Sequence, residues 1–220
     1  MTDTTERASA PQAGGAKAGV RVWDPLLRIF HWGLVAAFAL AWLTAEEWQV
    51  VHEYAGYVVA GLIAFRLVWG VVGSRYARFA QFLRGPSATL GYLRDMLRGR
   101  ERRHLGHNPA GAAMIVALLV CLSGTAFTGW LMEEPARIAM LPDPVQFVTP
   151  AHAEEEGEEG GYATGGEAVE ELHEVLANLT LLLVVLHLAG VLLASVRHRE
   201  NLARAMVTGR KRAAGPGDIA

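Results

Sequence analysis

The sequence contains a single cysteine, Cys121. That excludes an internal disulfide, a cysteine-ligated zinc cluster and any C-x-x-C-H motif. Charge is scarce as well: 19% of the 220 residues are charged against 52% apolar, and the mean hydropathy is positive. Soluble domains carry nearer a quarter charged residues, so an integral membrane protein in contact with a lipid bilayer is expected. A net charge of −2 gives no sign of a nucleic-acid partner. The first twenty residues lack the apolar stretch of a cleaved signal peptide, so residues 1–20 read as a disordered tail.

What the chain does have is apolar runs. A helix that crosses a bilayer needs about 20 mostly apolar residues. Four stretches qualify, at residues 25–44, 50–72, 109–132 and 169–196. Asp24-Pro25 and Asn108-Pro109 are good helix starts, each placing a capping side chain before a proline at the first helical position. Between the second and third spans, residues 86–99 set Leu90, Leu93 and Leu97 at helical spacing among arginines, as in a short helix lying on a membrane surface. The expected fold is all-α: an up-down four-helix membrane bundle over residues 21–200, then a basic tail over 201–220.

One sign of charge is nearly missing from two of the loops. Arg7, Lys17, Arg21 and Arg28 precede or open the first span. Eight arginines (Arg75, Arg78, Arg84, Arg94, Arg98, Arg100, Arg102, Arg103) lie between the second and third, and six basic residues run from Arg197 to Arg212. The other two loops share only Arg137. Positive loops stay inside. Both termini and the middle loop are therefore expected in the cytoplasm.

The histidines fall at two depths. His31 lies about 9 Å inside the start of span one, whereas His52 opens span two at the opposite surface. His173 and His187 are fourteen residues apart on span four, about 21 Å along the axis and within about 40° of whole turns. They point the same way at two levels. His31 then matches His187 in depth, and His52 matches His173. A six-coordinate haem iron takes an axial ligand from each side, and facing helices of a bundle supply them. Two haems about 20 Å apart would form an electron path across the bilayer. With no covalent attachment motif, they would be haem b. Each histidine taken singly also reads as a hydrogen-bonded packing residue; two level-matched pairs are harder to read that way. His104 and His107 read as surface residues or quinone-site contacts, and His152 and His198 as solvated.

Arg66 interrupts span two fourteen residues after His52, on the same face but at the other level. A buried guanidinium needs an anion, which a haem propionate would supply; the alternative is a side chain that snorkels to the interface. The loop between spans three and four holds twelve of the 22 acidic residues, with Glu154, Glu155, Glu156, Glu158 and Glu159 at its centre. It reads as a solvated linker, as a landing patch for a basic redox protein, or as an unspecific His-plus-Glu metal site.

These residues make the chain resemble the bacterial cytochrome b561 / nickel–iron hydrogenase cytochrome b family. The resemblance is carried by Val22-Trp23-Asp24-Pro25-Leu26-Leu27-Arg28-Ile29-Phe30-His31-Trp32, by His52-Glu53-Tyr54-Ala55-Gly56-Tyr57 and Arg66-Leu67-Val68-Trp69-Gly70, by Gly106-His107-Asn108-Pro109, and by His173, His187 and Arg197-His198-Arg199-Glu200-Asn201-Leu202. It covers roughly residues 20–212. It implies a four-helix bundle with two haem b groups held by His31, His52, His173 and His187. The four-span members it resembles exchange electrons between quinone and a periplasmic protein. A quinone site is expected among Arg28, His107, Asn108 and Arg197, where polar donors gather beside the inner haem. The function expected is electron transfer between the quinone pool and a periplasmic partner such as a cytochrome c. Rival readings are a self-sufficient superoxide:quinone oxidoreductase of the same fold and a histidine-based metal-ion transporter.

Overall fold

A computed structural model describes residues 19–138 and 161–219. Its elements run β1 (Val20–Arg21), α1 (Pro25–Thr44), α2 (Gln49–Val72), α3 (Phe79–Phe82), α4 (Pro86–Leu97), α5 (Pro109–Met132), α6 (Pro135–Ile138), α7 (Gly161–Arg197), α8 (Leu202–Thr208) and β2 (Arg210–Lys211). Four of them, α1, α2, α5 and the part of α7 from residue 166, are long and apolar enough to cross a membrane. His152 and the glutamates from Glu154 to Glu159 lie outside the described residues.

The helix starts follow from local chemistry. The Asp24 carboxylate accepts from the Leu27 amide at 2.9 Å, and the Asn108 side chain accepts from the Gly111 amide at 2.7 Å. Each satisfies an amide that the first helical turn leaves without a partner. α7 departs from expectation. The apolar run begins at Val169, yet the helix begins at Gly161 and has 37 residues. At 1.5 Å per residue it is about 55 Å long, well beyond a hydrocarbon core of about 30 Å. Its first six residues, Gly-Tyr-Ala-Thr-Gly-Gly, hold three poor helix formers, so neither hydropathy nor propensity marks this start; the good helix formers begin at Glu167.

Side chains that pack inward form two clusters. One lies mid-bundle, with Ala37, Val59, Ile63, Leu119 and Leu122. The other lies at the arginine-rich end, with Val22, Trp23, Leu27, Phe30, Ala77, Leu105 and Ala205. α1 packs on α2, α2 on α5, and α5 closely on α7, whereas α1 and α7 lie less closely together. Many large apolar side chains point outward: Leu43 is 79% exposed, Val71 70% and Val196 76%. Such continuous apolar surface belongs against lipid, where each helix satisfies its own backbone.

The arginine-rich end is tied together by segments far apart in sequence. β1 pairs antiparallel with β2, Val20 opposite Lys211, and the Val22 and Trp23 amides donate to the Gly209 carbonyl. The Leu105 amide donates to the Ile219 carbonyl at 2.8 Å, and the Ile219 amide to that of Arg103. Arg103, 5% exposed, donates to Glu200 at 2.9 Å, Asp218 at 2.6 Å and the Arg212 carbonyl at 2.8 Å. The stretch read as a basic tail is thus folded onto the bundle through its described residues.

Candidate functional site

At the end of the bundle away from the arginines, His52 on α2 faces His173 on α7, with ring centroids 6.2 Å apart and planes at 70°. Neither ring is free to turn. His52 Nδ1 lies 2.8 Å from the Ala41 carbonyl on α1, so it donates and the tautomer is set. His173 Nδ1 lies 3.0 Å from the Thr128 hydroxyl on α5. That hydroxyl has one proton, which it directs at the Gly124 and Thr125 carbonyls, both at 3.0 Å. Its oxygen therefore accepts, and His173 donates from Nδ1. In both rings Nε2 keeps its lone pair, the arrangement by which an outer partner orients a metal-ligating histidine. A gap of 6.2 Å between centroids suits one metal ion bonded to both rings at about 2 Å. Gly129 allows this: a Cβ there would sit 3.1 Å from His173 Cε1.

The second pair lies toward the arginine-rich end. His31 on α1 and His187 on α7 are half-buried and within electrostatic reach of each other. His31 Nδ1 is buried without a hydrogen-bond partner, and the ring meets Trp32 edge-on at 5.1 Å. Arg66 is 2% exposed, so it does not snorkel. Its guanidinium carbon lies 4.5 Å over the Phe79 ring, and one terminal nitrogen is buried without an acceptor. A buried cation with an unused donor calls for an anion. Paired imidazoles among apolar helices, with an orphaned guanidinium at one level, fit a haem with its propionates. Among the described residues no group of three or more His, Cys, Asp or Glu side chains is gathered for a single metal ion.

The four residues read as a quinone site do not share one polar surface. Arg28 donates to the Val207 carbonyl on α8. Asn108 caps α5, and Arg197 pairs with Glu101 at 2.8 Å and donates to the Met96 carbonyl. His107 lies between Trp23 and Phe82, each ring 4.6 Å away, with Nδ1 buried and unpartnered. Burial, and then the charges of Arg66, Lys211 and His187, push its imidazole down to about 3. Thr128 was not legible from sequence spacing, because its bond to His173 joins residues 45 apart. Its one signal is a hydroxyl in an apolar run. Asp24 likewise does more than cap: its carboxylate accepts from Ser74 at 2.5 Å and from the Trp69 indole at 3.3 Å, joining α1 to α2.

No curated protein and no solved structure matches the chain. A family model described as prokaryotic cytochrome b561 does, over residues 22–209. That match starts just ahead of α1 and stops at the glycine that ends α8, so it takes in every membrane-crossing helix and both histidine pairs. On that match the chain belongs to the prokaryotic cytochrome b561 family, whose members are multi-pass membrane b-type cytochromes of electron transfer.

Proposed function

We propose that the protein carries electrons across the inner membrane through two haem b groups, linking the quinone pool to a periplasmic redox protein such as a cytochrome c. The observation that carries this reading is the His52–His173 pair, 6.2 Å apart with both Nδ1 atoms engaged. His31 and His187 would hold the second group, His31 without the Nδ1 partner that fixes the other pair, and Arg66 would neutralise a propionate there. Haem, when bound, supplies a reversible one-electron iron couple. The chain's own part is to fix the imidazoles, keep water from the path and set the local charge. The arginine-rich end faces the cytoplasm by the positive-inside rule, so His52 and His173 lie on the periplasmic side. Of the candidate quinone contacts, Arg28 Nε and His107 Nδ1 are buried without a partner; His107 lies within electrostatic reach of His187 at the inner level, and we place the quinone headgroup there. The acidic stretch around Glu154 to Glu159 attracts a basic partner toward the outer haem.

Haem stoichiometry tests the central claim. The pyridine haemochrome assay is expected to give two haems per chain, falling to one in each of His31→Ala, His187→Ala, His52→Ala and His173→Ala. A wild-type protein with a single haem would sink the two-haem reading.

A further inference from the structure

Below the end of α7 the chain forms a cleft of about 460 Å³, away from both histidine pairs. Five arginines line it (Arg102, Arg103, Arg197, Arg199 and Arg212) against the carboxylates of Glu101 and Asp218. Two of the five are already committed: Arg103 to Glu200 and Asp218, and Arg197 to Glu101. Arg102 gives only its Nε, to the Gly217 carbonyl at 2.9 Å. The guanidinium groups of Arg199 and Arg212 form no hydrogen bond or ion pair among the described residues, although the Arg212 amide is pinned to Glu200 at 2.7 Å. The cleft is therefore walled by ion pairs and presents two solvent-facing guanidinium groups with no protein partner among the described residues.

Arg199 also occupies a backbone position that an arginine disfavours. Its φ is +49°, the left-handed conformation just past a helix end, where glycine is the usual residue. An arginine held there points to a use for its charge. A further unsatisfied group lines the same cleft: Glu101 Oε2 is buried with no donor. That oxygen is closed to solvent and offers a ligand no contact, so the group the cleft calls for is set by the arginines: an anionic phosphate.

A stripe on α7 shows where that ligand comes from. Val185, Leu188, Leu192 and Val196 follow one another at three- and four-residue steps, so they lie on one face. All are more than half exposed. This apolar stripe runs along the span to its last turn and stops at the lip of the cleft. Acyl chains fit the stripe and a headgroup fits the cleft, as basic pockets at the ends of membrane helices take anionic lipids. We infer that the cleft between Arg199 and Arg212 is a specific site for the phosphate headgroup of an anionic phospholipid.

The test is native mass spectrometry of the purified haem-loaded protein in detergent with phosphatidylglycerol or phosphatidylcholine added. The expected result is retained phosphatidylglycerol in preference to phosphatidylcholine. In the double variant Arg199→Gln/Arg212→Gln, retained phosphatidylglycerol is expected to fall on the order of tenfold. Both positions are exposed, so the fold and the haem content are expected to survive the change. Equal retention of the two lipids by the wild type overturns the inference, and so does unchanged retention by the double variant. A parallel arm adds inorganic phosphate and follows thermal unfolding. Stabilisation by phosphate alone, with no lipid preference, would reassign the cleft to a soluble anion and overturn the lipid site.

Discussion

At the scale of single residues, the strongest expectation concerns a hydroxyl rather than a ligand. Thr128→Val keeps shape and volume but removes the acceptor that holds His173 in its Nδ1-protonated form. Haem affinity at the His52–His173 level is expected to fall by about 10- to 100-fold, the usual effect of losing such a partner. Thr128→Ser should restore it; titration of haem into apoprotein checks both. Arg66→Leu belongs at the same scale. Removing a buried positive charge favours the oxidised, more positive haem, so the midpoint potential at the His31–His187 level should drop by on the order of tens of millivolts. A redox titration reads it directly. That His52 and His173 meet at one level was legible because position along each helix sets depth. Thr128 and the Ala41 carbonyl were not, since each contact joins helices, and spacing within one helix says nothing about rotation against the next.

At the scale of elements, helix starts with a chemical signature were legible and those without one were not. Asp24-Pro25 and Asn108-Pro109 mark α1 and α5 because a side-chain acceptor and a pre-set φ act locally. The start of α7 was missed because its opening residues, three glycines in six, carry neither an apolar run nor helix propensity. The small helix α3 was also unread, yet it supplies the shelf for Arg66. Its Phe79 ring packs on Gly70 of α2, where an added Cβ would overlap the ring. Gly70→Ala sets two effects against each other. The gain in helix propensity is up to about 1 kcal/mol, and overpacking costs about 1–3 kcal/mol. The clash should win, lowering the melting temperature and, on the two-haem proposal, disturbing the haem placed beside Arg66; thermal unfolding followed at the Soret band checks both.

At the scale of the whole molecule, the four-helix architecture was readable from hydropathy and charge alone. The folded arginine-rich end was not. Its residues lack periodicity, and its order comes in large part from two buried cations, Arg103 and Lys211, each bonded to segments more than ninety residues away. Arg103→Leu takes from Glu200 its closest charged partner but leaves it the Arg212 amide at 2.7 Å and Lys211 at 3.8 Å, so the loss should fall short of the about 3–5 kcal/mol of a buried charge left wholly unpaired. Hydrogen exchange should rise across residues 201–219 and 20–23 together. Acid should act similarly. Burial alone would raise the Glu200 carboxyl, but Arg103, the Arg212 amide and Lys211 outweigh it and hold it below its ordinary value of 4.5. A depressed carboxyl contributes stability that is complete above 4.5 and is lost as the pH falls below it. Exchange in this region should therefore climb between pH 5 and roughly pH 3, and do so less in Glu200→Gln, which begins partly destabilised.

The pairing of β1 with β2 has a consequence for the order in which the protein is made. β1 emerges from the ribosome ahead of every membrane helix, and its partner emerges after all of them. The four spans can be inserted one by one, each satisfied by its own backbone. The amides of Val22 and Trp23 must wait for Gly209. Assembly at the arginine-rich end is thus a closing step, taken only when synthesis has passed the last span. A nascent chain halted at residue 200 should be found inserted, with its first strand still open to proteolysis.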